Sequence, residues 1–82
     1  MRKGIVIDHV VSTRKQEALV GSKFLEVQLI ENGEKTDKFV IAVDSVGAGI
    51  GETVLLTEGS SARLALRNTS APVDAVVVGI VD

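Results

Sequence analysis

A chain of 82 residues and 8.6 kDa has room for one hydrophobic core, so residues 1–82 are expected to form one domain. Nine Lys and Arg against eleven Asp and Glu give a net charge of −2 and a pI near 5.3, without the basic footprint that nucleic-acid binding requires. Cysteine is absent and histidine occurs once, which excludes a disulfide framework and a structural metal site, yet 45% of the residues are hydrophobic.

The chain begins Met1-Arg2-Lys3, and Gly4 to Ser12 (GIVIDHVVS) is a Val- and Ile-rich run too short for a helix, hence a first strand. Asp8 interrupts what would have to be a signal-peptide core, and no apolar run is long enough to span a bilayer. Thr13 to Ser22 is polar, ends near Gly21, and reads as a loop with room for one helical turn. Phe24 to Ile30 alternates, with Leu25, Val27 and Leu29 facing one way and Glu26 and Gln28 the other, as in a half-buried strand. Asn32-Gly33 is a hairpin signal inside a polar stretch from Glu31 to Asp37, read as a loop.

Lys38 to Asp44 and Thr53 to Thr57 form a third and fourth strand on either side of a glycine-dense segment. Gly59-Ser60-Ser61 introduces a short helix over Ala62 to Leu66, with Ser60 or Ser61 as N-cap. Asn68 to Pro72 is a breaker-rich turn, and Val73 to Val81 closes the chain as a fifth strand. Five strands and one short helix predict an all-β fold: a small OB-like Greek-key barrel of the oligonucleotide/oligosaccharide-binding type.

The strand faces carry the first functional inference. In the third strand Phe39, Ile41 and Val43 oppose Val40 and Ala42, and in the fifth Ala75, Val77 and Val81 oppose Val76, Val78 and Ile80. A small barrel uses one face for its core, and each Val or Ile left in water forfeits roughly 1.5–3 kcal/mol. Subunit contacts would cover the second apolar face; loops and the helix folded over it are the alternative.

The segment Asp44-Ser45-Val46-Gly47-Ala48-Gly49-Ile50-Gly51-Glu52 is the candidate site. Glycines there permit positive φ and close approach of backbone to another surface. A G-x-G-x-x-G dinucleotide fingerprint fails because Glu52 occupies the third glycine position and a strand, not a helix, follows. No Gly-Lys-Ser/Thr makes a P-loop, and no G-x-S-x-G motif supports a nucleophile among Ser12, Ser45, Ser60 and Ser61. His9 has only Asp8 nearby and reads as a half-exposed strand residue. There is no Trp or Tyr to stack bases, and Phe24 and Phe39 are expected in the core. Arg63 and Asp74, charges among small and apolar neighbours, are candidates for an ion pair within or between subunits.

Several blocks together resemble the pentameric vertex proteins of bacterial microcompartment shells (EutN/CcmL type). They are Gly4 with its following strand, Val11 to Lys15, Leu19 to Leu25, Ala42 to Glu52, Val54 to Leu56, Gly59 to Arg63, Pro72 to Ala75 and Gly79 to Asp82, in this order and spacing. The resemblance implies a homopentamer that caps the five-fold corners of a cytoplasmic microcompartment shell built otherwise from hexameric shell proteins. It implies no catalysis and no cofactor, and no nucleic-acid or membrane partner is expected. It also implies that the loop of Gly47, Ala48, Gly49, Ile50, Gly51 and Glu52 lies near the five-fold axis. Thr53 departs from the aromatic residue that many relatives carry after the Gly-Glu pair. The alternatives are an OB-like ligand- or nucleic-acid-binding module, and a small enzyme using Asp44, Glu52 and His9.

Overall fold

The computed structural model describes residues 1–11, 17–67 and 73–82. Five strands, β1 (Arg2–Val10), β2 (Phe24–Glu31), β3 (Glu34–Asp44), β4 (Thr53–Glu58) and β5 (Ala75–Ile80), close into a barrel in the order β1-β2-β3-β5-β4. Neighbours are antiparallel except β3 and β5, which run parallel through only two rungs, Val43↔Val76 and Asp44↔Val77. The expected OB-like barrel is therefore present, with one short helix, α1 (Ser60–Ala65). The expected turn at 68–72, residues 13–16 of the expected loop and the Ser12 end of the first strand lie outside the described residues.

Alternation sets the inside of the barrel. Val6, Leu25, Val27, Val54, Leu56 and Val77 are each at most 1% exposed and interdigitate across the interior. Gly4 belongs to this packing for a steric reason. A Cβ there would run into Val27 Cγ1 and stand 2.8 Å from the carbonyl oxygen of Gln28, so only glycine lets β1 approach β2 so closely. A register shift between Val6 and Asp8 bends β1 around the barrel.

A second, smaller cluster lies on the outer face. Val43, Ala62 and Val76 are buried there, with Phe24, Leu66, Val73 and Val78 packed against them. The helix thus covers part of the apolar exterior, and Thr57 of β4 is also buried. The anticipated helix cover is thus present over one patch, and the helix is too short to shield the whole face. Phe39 and Ile41, opposite Gln28 and Glu26 on β2, remain about half exposed. Phe39 is therefore a correction: it faces solvent, whereas Phe24 packs under the helix as expected.

Element boundaries depart from the sequence expectation most at β3 and α1. β3 begins at Glu34, so the polar stretch from Glu31 is a paired hairpin. Asn32 (φ 52°) and Gly33 (φ 79°) form the two-residue turn, and two positive φ angles match the right-handed twist of the strands. Beyond it, Thr36 Oγ1 donates to the Leu29 carbonyl and Gln28 Nε2 to the Thr36 carbonyl, each at 2.8 Å, fastening a bulge. Helix α1 starts two residues earlier than expected, with Gly59 at the N-cap and no serine side chain capping it. Gly59 adopts φ 67°, ψ −142°, a conformation suited to glycine, and its N–H donates to the Asp74 carbonyl at 2.7 Å. Within the polar loop, Glu17–Leu19 makes one 3₁₀ turn.

Candidate functional site

The glycine segment joins β3 to β4 across one end of the barrel, and its path is fixed by two carboxylates. Asp44 Oδ1 accepts the N–H groups of Val46 and Gly47, and Oδ2 accepts that of Ala48, all at 3.0 Å. Charge-assisted bonds of this kind are about twice as strong as neutral ones, and here three donors converge on one side chain. Glu52 Oε1 accepts the Gly49 N–H at 2.6 Å from the other end of the loop. Backbone bonds then tie the segment to β1: Gly51 N–H to the Val6 carbonyl at 2.8 Å, and Val6 N–H to the Glu52 carbonyl at 3.0 Å.

This pinning drives Ala48 into the barrel interior, 2% exposed, while Ile50 stays on the surface. Gly47 (φ 81°) and Gly51 (φ 88°) make the left-handed turns that the path demands. Gly49 has an ordinary φ; a Cβ there would meet only the Glu52 carboxylate, at 3.3 Å. The three glycines are thus not equivalent. Two set conformation, and the third leaves surface space.

The remaining candidates separate. Arg63 Nη1 donates to the Val73 carbonyl at 3.1 Å, one residue before Asp74, and Asp74 is exposed. Among the described residues the two form no ion pair with each other. Ion pairs do join Arg2 to Glu31 (3.1 Å) and Glu58 (3.6 Å), and Lys38 to Glu31 (3.3 Å), all on partly exposed side chains. His9 lies exposed on β1, and its backbone N–H donates to Asp8 Oδ1 at 2.8 Å. Asp44 is already engaged by three backbone donors. Among the described residues, no three His, Asp or Glu side chains gather as metal ligands.

Sequence reasoning passed over two features. Asp44 as the organiser of the loop was accessible, since an Asp just ahead of a glycine run commonly bonds to backbone N–H groups a few residues on. The trough beside the β3–β5 seam carried no local signal. Phe24, Ile41, Val43, Val73, Asp74 and Ala75 line a recess of about 250 Å³. It continues into one of about 260 Å³ lined by Val40, Ile41, Glu58, Asp74 and Ala75.

Known proteins share this fold. Residues 1–82 match the family described as "Ethanolamine utilisation protein EutN/carboxysome". The carboxysome shell vertex protein CcmL of Gloeobacter violaceus is 47% identical over 83 aligned positions, covering all of this chain and 83% of that protein. Its solved structure superposes with a TM-score of 0.93, covering all of this chain and 86% of the other. The bacterial microcompartment shell vertex protein EutN of Salmonella typhimurium is 43% identical, covering all of this chain and 84% of that protein. A structure described as the GrpN pentameric microcompartment shell protein from Rhodospirillum rubrum is 44% identical with a TM-score of 0.90, covering all of this chain and 94% of that one. Matched from its first residue to its last in sequence and in barrel topology, the chain belongs to the EutN/CcmL family.

Proposed function

We propose that this chain is a structural subunit, one vertex-protein domain over residues 1–82, whose homopentamer closes the five-fold corners of a bacterial microcompartment shell. The observation that carries the reading is the uncovered outer face. With the barrel interior filled and α1 covering one patch, Phe39, Ile41, Leu55 and Val81 remain 36% to 52% exposed. Side chains of that kind are stabilised by burial against identical copies. Relatives named as shell vertex proteins, and one described as a pentameric shell protein, support the same assembly.

In this reading the pentamer sits in a cytoplasmic shell among hexameric shell proteins and performs no catalysis. The loop from Gly47 to Glu52 faces the five-fold axis, where five copies converge and small residues leave room. The carboxylates at its ends serve to hold the loop's shape.

Native mass spectrometry tests the assembly. The expected mass is five times 8.6 kDa. A monomer persisting at micromolar concentration would overturn the reading. The axial loop is tested separately: Gly49→Leu should reduce pentamer mass fraction far more than Lys35→Leu, and equal oligomer distributions for the two would remove the loop from the axis.

A further inference from the structure

A five-membered ring is closed by one heterologous contact used five times, so each subunit must offer two unlike, mutually complementary surfaces. One is the trough at the β3–β5 seam. Those strands pair only at Val43↔Val76 and Asp44↔Val77; upstream, the seam opens onto the two continuous recesses that share Ile41, Asp74 and Ala75. Its floor is apolar and its rim acidic, with Asp74 and Glu58. Among the described residues Asp74 has no ion-pair partner, and Glu58 has only the 3.6 Å contact with Arg2.

The other surface is the outer face of β4 and its neighbours. Leu55 stands opposite Gly79 on β5 and Lys3 on β1. It lies over Gly79, where an added Cβ would be 3.8 Å from both Leu55 Cβ and Cδ1, and is 36% exposed. Val81 extends the apolar ridge, and Lys3 is an exposed cation beside it, without an ion-pair partner among the described residues. In the barrel order, β4 stands one and a half strand spacings from the β3–β5 seam, roughly a third of the circumference. The two surfaces therefore face different directions, as contacts to the neighbours on either side of a ring subunit require.

Resting on the pentameric reading above, we propose that the ridge of Leu55 and Val81 on one subunit seats in the trough around Ile41 on the next copy, with Lys3 set against Asp74. The ridge is apolar and basic at its edge; the trough is apolar and acidic at its rim. Both contact chemistry and charge then fix the direction of the ring.

The chain's lack of cysteine makes the test direct. The double variant Ile41→Cys/Leu55→Cys, oxidised at low protein concentration, should give a covalent ladder reaching five chains, whereas either single variant should not. Lys3→Glu and Asp74→Lys should each weaken association about ten-fold or more, and the combined charge reversal should recover most of that loss. Circular dichroism matching the parent chain would show that each charge variant has folded. A parent pentamer with neither ladder nor charge recovery would overturn this surface assignment while leaving the pentamer standing. A monomeric parent chain would overturn both.

Discussion

The two halves of the barrel's outer face have similar composition and different fates. Around Val43, Val76 and Ala62 the apolar exterior is sealed by α1, with Phe24 and Leu66 completing the cover. Around Ile41, Phe39 and Leu55 side chains just as apolar lie open. The first half uses the chain's only α-helix among the described residues, six residues long, and nothing of that kind remains for the second. An 82-residue chain can fill one interior and shield one exterior patch, so the rest of its apolar surface is an instruction for assembly. Substitutions in the sealed regions should therefore act on folding, and substitutions in the open region on association.

The largest effects should come from the interior. Leu56→Ala removes a fully buried side chain from the barrel and should cost about 2–5 kcal/mol in denaturant unfolding. A loss under about 1 kcal/mol would mean that the barrel collapses around the cavity and that its interior is less fixed than its packing implies. Next comes a contrast between two strand glycines. Gly4→Ala places its methyl against the Gln28 carbonyl and Val27, where backbone cannot yield, and should cost about 1–3 kcal/mol. Gly79→Ala meets only Leu55 at ordinary contact distance and should change protomer stability by less than about 0.5 kcal/mol. Equal costs at the two sites would erase the distinction between sealed and open regions.

The glycine loop is a third case, because its stability is internal. Asp44→Ala strands three backbone N–H groups, one of them on buried Ala48, and should cost about 1–3 kcal/mol. Amide hydrogen exchange should show residues 46–48 losing protection while β2 keeps it. Gly47→Ala and Gly51→Ala should each cost about 1–2 kcal/mol because their φ angles are left-handed, with Gly49→Ala nearly silent in the protomer. If Gly49→Ala matched the other two, the loop would take a different path from the one described.

Much of this was legible in the residues. Clean alternation from Phe24 to Ile30 announced a half-buried strand, and the double-faced third and fifth strands announced a need for cover. What stayed hidden depended on neighbours. Glu34 to Lys38 is as polar as a loop, and only pairing with β2 across the Asn32-Gly33 turn makes it strand. Phe39 looked like core because its residue type argues burial, but the strand's register sends Val40 and Ala42 inward instead. Among Gly47, Gly49 and Gly51 the sequence offers no way to tell which must be left-handed, since φ is set by where Asp44 and β1 hold the chain. The trough pairs residues of β3 with Asp74 and Ala75 across a topological crossover, a juxtaposition with no short-range trace.

The smallest effect expected is at Arg2, and it bears on the comparison because this residue bridges strands on the open side of the molecule. Its guanidinium reaches Glu31 on β2 and Glu58 on β4 from the strand between them, so it ties three strands together by charge alone. All three side chains are more than a third exposed, and water and salt screen such pairs to about 0–1 kcal/mol. Arg2→Ala should therefore shift protomer stability by less than about 1 kcal/mol, and the shift should shrink further as salt is raised from about 0.05 to 0.5 M. Because Glu58 also forms the rim of the trough, the same variant frees a carboxylate beside Asp74. Its effect on association should then exceed its effect on unfolding, measured as oligomer dissociation against denaturant midpoint. The reverse ranking would make Arg2 a clamp for the barrel and place the β1–β4 side with the sealed regions.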